Sequence, residues 1–215
     1  MKQDDRPDPV SGRKASLDYA EHYAQAHRSV SGNDFQYRSG YLYLLTLDAL
    51  LFDYRLLDVG CGTGGFYSLL NRYRSITAID FSDTMINAAL ALKYELELDR
   101  VDFLCIRFED FYADEPFDAI SLSGVYGWYE PWVKNEKVLY KANSMLSDTG
   151  LCVVSCVFPT TITQWIKALL FPRKSVVIAE RKFLKMAKKA GFRRVFSVKL
   201  ADVHSTYIIL QKINT

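Results

Sequence analysis

Asp58, Gly60, Gly62 and Gly64 stand at alternate positions in Leu56-Leu57-Asp58-Val59-Gly60-Cys61-Gly62-Thr63-Gly64-Gly65-Phe66. A second carboxylate, Asp80, follows Gly60 by 20 residues. Glycines spaced this way let a backbone turn sharply and approach a ligand closely. A helix that starts after such a turn offers free N–H groups. A carboxylate beside the turn contributes negative charge, and one at the end of the next strand can accept two vicinal hydroxyls. The chemistry is therefore that of a nucleoside-bearing ligand.

The glycines can be read in two ways. As G-x-G-x-x-G (Gly60, Gly62, Gly65) they match the turn that holds a dinucleotide pyrophosphate. As D-x-G-x-G-x-G (Asp58, Gly60, Gly62, Gly64) they match a turn for a sulfonium nucleoside. Asp58 favours the second, because a carboxylate there repels a pyrophosphate and suits a ligand with a cationic amino-acid end. Asp80 fits both readings, since either ligand carries a ribose. The order of elements at the C-terminus separates them further.

That order follows from patterning. Residues 16–27 read as a helix capped by Ser16, and 35–52 as a second, mostly apolar helix. Strands are predicted over 55–59, 75–79, 101–106, 117–122 and 151–157. Helices are predicted over 65–73, 83–94 (opened by a Ser82 cap) and 134–146, the last stopped by Asp148-Thr149-Gly150. Strand–helix alternation with short links predicts a mostly parallel sheet covered on both faces. Residues 158–178, bracketed by Pro159 and Pro172, interrupt the rhythm. A helix over 181–190, stopped by Gly191, and strands over 192–200 and 205–211 complete the chain. About four residues link the last two strands, too few for a parallel crossover, so they must form an antiparallel hairpin. A nicotinamide fold more often continues with parallel crossovers.

These residues resemble the class I S-adenosylmethionine-dependent methyltransferases. LLDVGCGTGGF is similar to the family's first motif and AIDFSDTMINAA (78–89) to its second segment. DFLCIRFEDF (102–111) resembles the segment at the adenine edge, and FDAISLSGVYGW (117–128) the fourth strand with its exit loop. The resemblance implies a doubly wound α/β fold: a mostly parallel seven-stranded sheet, an antiparallel C-terminal hairpin, and helices on both faces. It implies S-adenosyl-L-methionine as cofactor and S-adenosyl-L-homocysteine as product. Asp58, Gly60, Cys61, Gly62 and Gly64 would form the turn at the methionine end, which Ser123 would face. Asp80 would hold the ribose hydroxyls, Phe81 and Met85 would flank the adenine, and Phe108 and Glu109 would lie at the base. Arg107 stands where the family often has Asp. The Tyr19/Tyr23 pair beside His22 is similar to the tyrosine-bearing lid of many small-molecule methyltransferases, with Tyr23 placed near the cofactor.

Ligands of this fold lie beyond the carboxyl ends of the strands. The acceptor side would thus collect Tyr19, Tyr23, Tyr126, Trp128, Tyr129 and Trp165, an aromatic lining suited to a hydrophobic or cationic small molecule. His22 and Tyr126 are the candidates for handling a proton. No metal site is expected, because His22, His27 and His204 have no ligand spacing.

Composition limits the rest. Of 215 residues, 49% are apolar, enough for one well-packed domain. The expected organisation is a polar tail over 1–14 and a single domain over 15–215, with a helical lid over 15–52 and an inserted lid element over 158–178. No run of about 18 apolar residues occurs, so no transmembrane helix is predicted. The four cysteines lack C-x-x-C spacing, disulfides are not expected, and a cytoplasmic location follows. Residues 1–164 hold 15 Lys/Arg against 23 Asp/Glu, a balance of −8. Residues 165–215 hold 12 against 2, a balance of +10. A solvated helix face is the simplest account of the basic end. A membrane surface or an acidic carrier protein could also meet it, whereas nucleic acid is not expected. The predicted function is methyl transfer to nitrogen or oxygen of a small molecule, natural-product intermediates included. The alternatives are an RNA, carrier- or membrane-bound acceptor, a non-catalytic cofactor-binding protein, and an NAD-dependent oxidoreductase. The oligomeric state is left open.

Overall fold

The computed structural model describes residues 44–64, 66–122, 136–157, 162, 166, 180–200 and 205–213. Among them the strands are β1 (Tyr54–Val59), β2 (Tyr73–Asp80), β3 (Val101–Cys105), β4 (Phe117–Leu122), β5 (Leu146–Val157), β6 (Phe192–Leu200) and β7 (Ser205–Lys212). The helices with described bounds are α1 (Asp83–Glu95), α2 (Glu136–Met145) and α3 (Glu180–Lys189), and residues 44–50 are also helical. The sheet order is β3-β2-β1-β4-β5-β7-β6. β1 to β5 pair in parallel, while β7 runs antiparallel to both β5 and β6. The expected fold class is observed, with the hairpin at the end of the sheet and β6 on its edge.

Alternation along each strand sends side chains to opposite faces. Leu57, Val59, Ile79, Ile120, Leu122, Val154 and Ile208 form one core with α2 and α3. Leu56, Ile76, Ala78, Val101, Phe103, Val153 and Ile209 form the other with α1 and Leu44 and Leu47. Burial on both faces explains why these strands read as continuous apolar runs. On α3, Phe183, Met186 and Ala187 are buried, and Gly191 at φ 83° ends the helix as predicted. On α1, the Ser82 hydroxyl accepts the Met85 N–H at 3.4 Å, the expected cap.

Two predicted elements differ. The helix over 65–73 is replaced by a 3-10 turn, Tyr67–Leu69, and the backbone is extended again at Leu70. The cause is remote in sequence. The buried Asp48 carboxylate accepts the N–H groups of Asn71 and Arg72 (3.1 and 2.9 Å) and the Tyr54 hydroxyl (3.0 Å). Those amides cannot then bond four residues back within a helix, and β2 starts early, at Tyr73. The second difference is Asp148-Thr149-Gly150, predicted to be a stop between elements but part of β5. Phe117 pairs with Leu146 and Ala119 with Leu151, so Asp118 alone faces residues 147–150. Asp118 fills that bulge, accepting the Ser147 hydroxyl (3.4 Å) and the Arg55 N–H (2.9 Å).

Candidate cofactor site

β1 and β2 end side by side, with Asp58 opposite Ala78 and Val59 opposite Ile79. The chain leaving β1 folds back onto β2. The N–H groups of Gly60 and Cys61 both donate to the Ile79 carbonyl, at 2.8 and 3.1 Å. Gly62 N–H donates to Asp80 Oδ2 at 3.1 Å, and Gly64 N–H to the Cys61 carbonyl at 3.1 Å. Gly60, Gly62 and Gly64 have φ of 74°, 55° and 63°, the left-handed region where a side chain is strained. At Gly64 packing adds a second constraint. A Cβ there would lie 2.5 Å from the Phe103 ring and 2.8 Å from the Tyr67 ring.

The bonding of this turn bears on its ligand. A phosphate needs unspent N–H donors, and those of Gly60, Cys61, Gly62 and Gly64 already have acceptors inside the protein. Two carboxylates flank the turn instead. Asp58 is 4% exposed, and its Oδ2 accepts the Tyr67 hydroxyl at 2.6 Å. Burial pushes its acid up to about 6. Hydrogen bonds from Tyr67 and Ser121 oppose the rise, and the Asp80 charge adds to it. Asp80 is raised by burial, against hydrogen bonds from the N–H groups of Ser82, Gly62 and Phe81. The Cys61 thiol is buried and raised well above its ordinary range, first by burial and then by Asp58 and Asp80, so it is no nucleophile. Among the described residues the buried Thr63 hydroxyl has no hydrogen-bond partner.

Each Asp80 oxygen keeps acceptor capacity beyond the bond it makes to Gly62 or Ser82. A ribose diol can use it. A cationic amino-acid end is drawn to the negative charge at Asp58. The residues present therefore fit a sulfonium nucleoside better than a dinucleotide.

At the outer end, Phe81 is 57% exposed and carries the Arg107 guanidinium 5.6 Å from its ring centroid. Arg107 also lies 3.7 Å from Glu109. Met85 is buried in the first turn of α1. Phe108, expected at the adenine, is 4% exposed and packs in the core beside Phe111 and Phe117. Lys141 Nζ lies 5.4 Å from its ring centroid.

The structure brings together Asp58, Gly60, Cys61, Gly62, Gly64, Asp80, Phe81 and Met85. Tyr19, His22, Tyr23, Ser123, Tyr126, Trp128, Tyr129 and Trp165 lie outside the described residues. Sequence reasoning missed Tyr67 and Ser121. Ser121 left one signal, a lone hydroxyl in the apolar strand FDAISL, in register with Asp58. Tyr67 left none, because its partner is set by the unforeseen 3-10 turn. Among the described residues no three His, Cys, Asp or Glu side chains are grouped to hold a metal, and no helix is long and apolar enough to cross a membrane. Cys61, Cys105 and Cys152 are free thiols.

A family model described as "Methyltransferase domain" matches residues 52–204. The malonyl-[acyl-carrier protein] O-methyltransferase of Priestia megaterium (strain DSM 319 / IMG 1521) is 33% identical over 101 residues, which is 44% of this chain and 36% of that protein. The match thus takes in about a third of that relative's length. The fold is similar to that of the N-methyltransferase NodS from Bradyrhizobium japonicum WM9, solved with S-adenosyl-L-homocysteine. The TM-score is 0.67 at 15% identity, covering 91% of this chain and 99% of that one. It is also similar to a TehB-like SAM-dependent methyltransferase from Corynebacterium glutamicum ATCC 13032 Kitasato, with a TM-score of 0.64 at 18% identity, covering 92% of this chain and all (100%) of the other. With most of its length matched by the family model, the chain belongs to the class I S-adenosyl-L-methionine-dependent methyltransferases, whose methyl donor is S-adenosyl-L-methionine and whose product is S-adenosyl-L-homocysteine.

Proposed function

We propose that this enzyme methylates nitrogen or oxygen of a small-molecule acceptor. The observation that carries the cofactor half of this reading is the glycine turn, whose Gly60, Cys61, Gly62 and Gly64 N–H groups are spent internally while Asp58 and Asp80 flank it. Bound S-adenosyl-L-methionine supplies a methyl group already activated on a sulfonium. The protein's task is then to place an acceptor lone pair in line with it. Asp58 supplies the charge for the amino-acid end, with Tyr23 and Ser123 beside it. Asp80 accepts the ribose hydroxyls, Phe81 and Met85 flank the adenine, and Arg107 and Glu109 meet its edge. His22 and Tyr126 take up the acceptor's proton where it is acidic enough to need a base. Tyr19, Trp128, Tyr129 and Trp165 line the acceptor pocket. A cytoplasmic location belongs to the same proposal.

The similarity in fold to NodS, an N-methyltransferase, across nearly that whole chain is in keeping with nitrogen as one acceptor atom. One observation favours a second reading. Arg181, Lys182, Lys185, Lys188 and Lys189 are exposed along α3, and the malonyl-[acyl-carrier protein] O-methyltransferase is a relative. An acidic carrier presenting a tethered acceptor would meet that face. Methyl-labelled cofactor incubated with a metabolite extract, and separately with acyl-loaded carrier protein, tests both. Label in a free small molecule supports the first reading. Label on the carrier alone, lost steeply with added salt, replaces it with the second.

A further inference from the structure

We propose that Tyr67 is a positioning residue for cofactor binding, its hydroxyl holding the Asp58 carboxylate beneath the glycine turn while its ring fills the space that Gly64 leaves open. This inference rests on the cofactor reading above. Four contacts converge on the one side chain and its backbone. Tyr67 is fully buried, and its hydroxyl lies 2.6 Å from Asp58 Oδ2. Its ring stands where a Gly64 Cβ would be, 2.8 Å away, with its centroid 6.0 Å from that of Phe103. Its N–H donates to the Gly64 carbonyl at 3.3 Å, and Gly64 in turn bonds back to Cys61. The residue thus touches both the turn and the acid beneath it.

The choice of a phenol has a physical reason. A buried carboxylate that must receive a ligand's ammonium has to be ionised before the ligand arrives. A Lys or Arg partner would achieve that but would cancel the charge. A hydroxyl stabilises the anion and leaves its net charge in place. Among the described residues Asp58 has no ion pair, and its donors are the hydroxyls of Tyr67 and Ser121. The titratable groups facing it are Tyr67 from the 3-10 turn, Asp80 from β2 and Cys61 from the turn, with Ser121 from β4 as a non-titrating donor. Asp80 raises the acid of Asp58, and Tyr67 lowers it.

The test is calorimetric affinity for S-adenosyl-L-homocysteine, whose ammonium group is the same, between pH 5.5 and 8.5. In the unsubstituted protein, affinity falls as pH drops through about 6, where Asp58 takes up its proton. Tyr67→Phe keeps the ring and removes the donor. Its midpoint should move up by about one pH unit, the worth of a hydrogen bond to a charged group. Binding should then be about threefold weaker at pH 6.5 and unchanged at pH 8.5. Phe103→Leu, which loosens the packing around Gly64 and the Tyr67 ring but leaves the hydroxyl donor in place, should leave the midpoint where it is. An unmoved midpoint in Tyr67→Phe, or one that moves equally in Phe103→Leu, overturns the inference and leaves the cofactor reading intact. No binding by the unsubstituted protein at any pH overturns both.

Discussion

Asp80 Oδ2 accepts the backbone N–H of Gly62 at 3.1 Å, so the carboxylate that ends β2 also shapes the glycine turn that ends β1. Its Oδ1 accepts the Ser82 N–H at 2.9 Å, at the start of α1. Three segments of the cofactor site therefore meet at one side chain. Asp80→Ala should weaken S-adenosyl-L-homocysteine binding at least about tenfold and lower stability by about 1–3 kcal/mol, because the amides of Gly62, Ser82 and Phe81 lose a charged acceptor. Calorimetry and urea unfolding on the same variant separate the two effects.

Gly64 is constrained twice, by its φ of 63° and by the Phe103 and Tyr67 rings. Gly64→Ala should cost about 2–4 kcal/mol, the sum of left-handed strain and overpacking. The double variant Gly64→Ala/Phe103→Leu makes room for the methyl group and should recover part of that loss. The strain, about 1–2 kcal/mol, should persist. Thermal or urea unfolding of the single and double variants reads this coupling directly.

Asp48 holds the entry to β2 by two hydrogen bonds, from the Asn71 and Arg72 amides, and Tyr54 at the start of β1 by a third. Asp48→Ala leaves two amides and the Tyr54 hydroxyl short of an acceptor. Stability should fall by about 3 kcal/mol. The turn itself keeps its Asp80 and Ile79 acceptors, so S-adenosyl-L-homocysteine affinity measured on the folded fraction should change much less than in Asp80→Ala.

The buried Asp58 gives a pH dependence of folding whose sign can be stated. Its folded acid lies at about 6, above the ordinary aspartate value of the unfolded chain. The native state therefore holds a proton that the unfolded state has released, and stability falls as pH rises from about 4 to about 6. Across that interval the loss amounts to about 3 kcal/mol. Asp80, also raised, contributes with the same sign. Asp58→Asn should flatten the Asp58 part of this slope in urea midpoints taken between pH 4 and 7, while weakening cofactor binding at pH 7.5.

The sheet and its reversed hairpin were legible because burial on both faces writes continuous apolar runs, and because four residues cannot bridge parallel strands. The glycine turn and both carboxylates were legible from spacing. The 3-10 turn at Tyr67–Leu69 was not, since it depends on Asp48, which holds amides 23 and 24 residues further on, and so the Tyr67–Asp58 bond was hidden as well. Phe108 reads the same in sequence whether its ring faces a base or the core. The structure buries it in the cluster that also holds Phe111 and Phe117.

Calorimetry of the purified protein with S-adenosyl-L-homocysteine, alongside Asp80→Ala and with NADH as competitor, tests the central claim most directly. A turn with the amides of Gly60, Cys61, Gly62 and Gly64 spent and two carboxylates beside it predicts binding of S-adenosyl-L-homocysteine, sharp loss of it in Asp80→Ala, and no displacement by NADH. Binding of NADH with no affinity for S-adenosyl-L-homocysteine would contradict it.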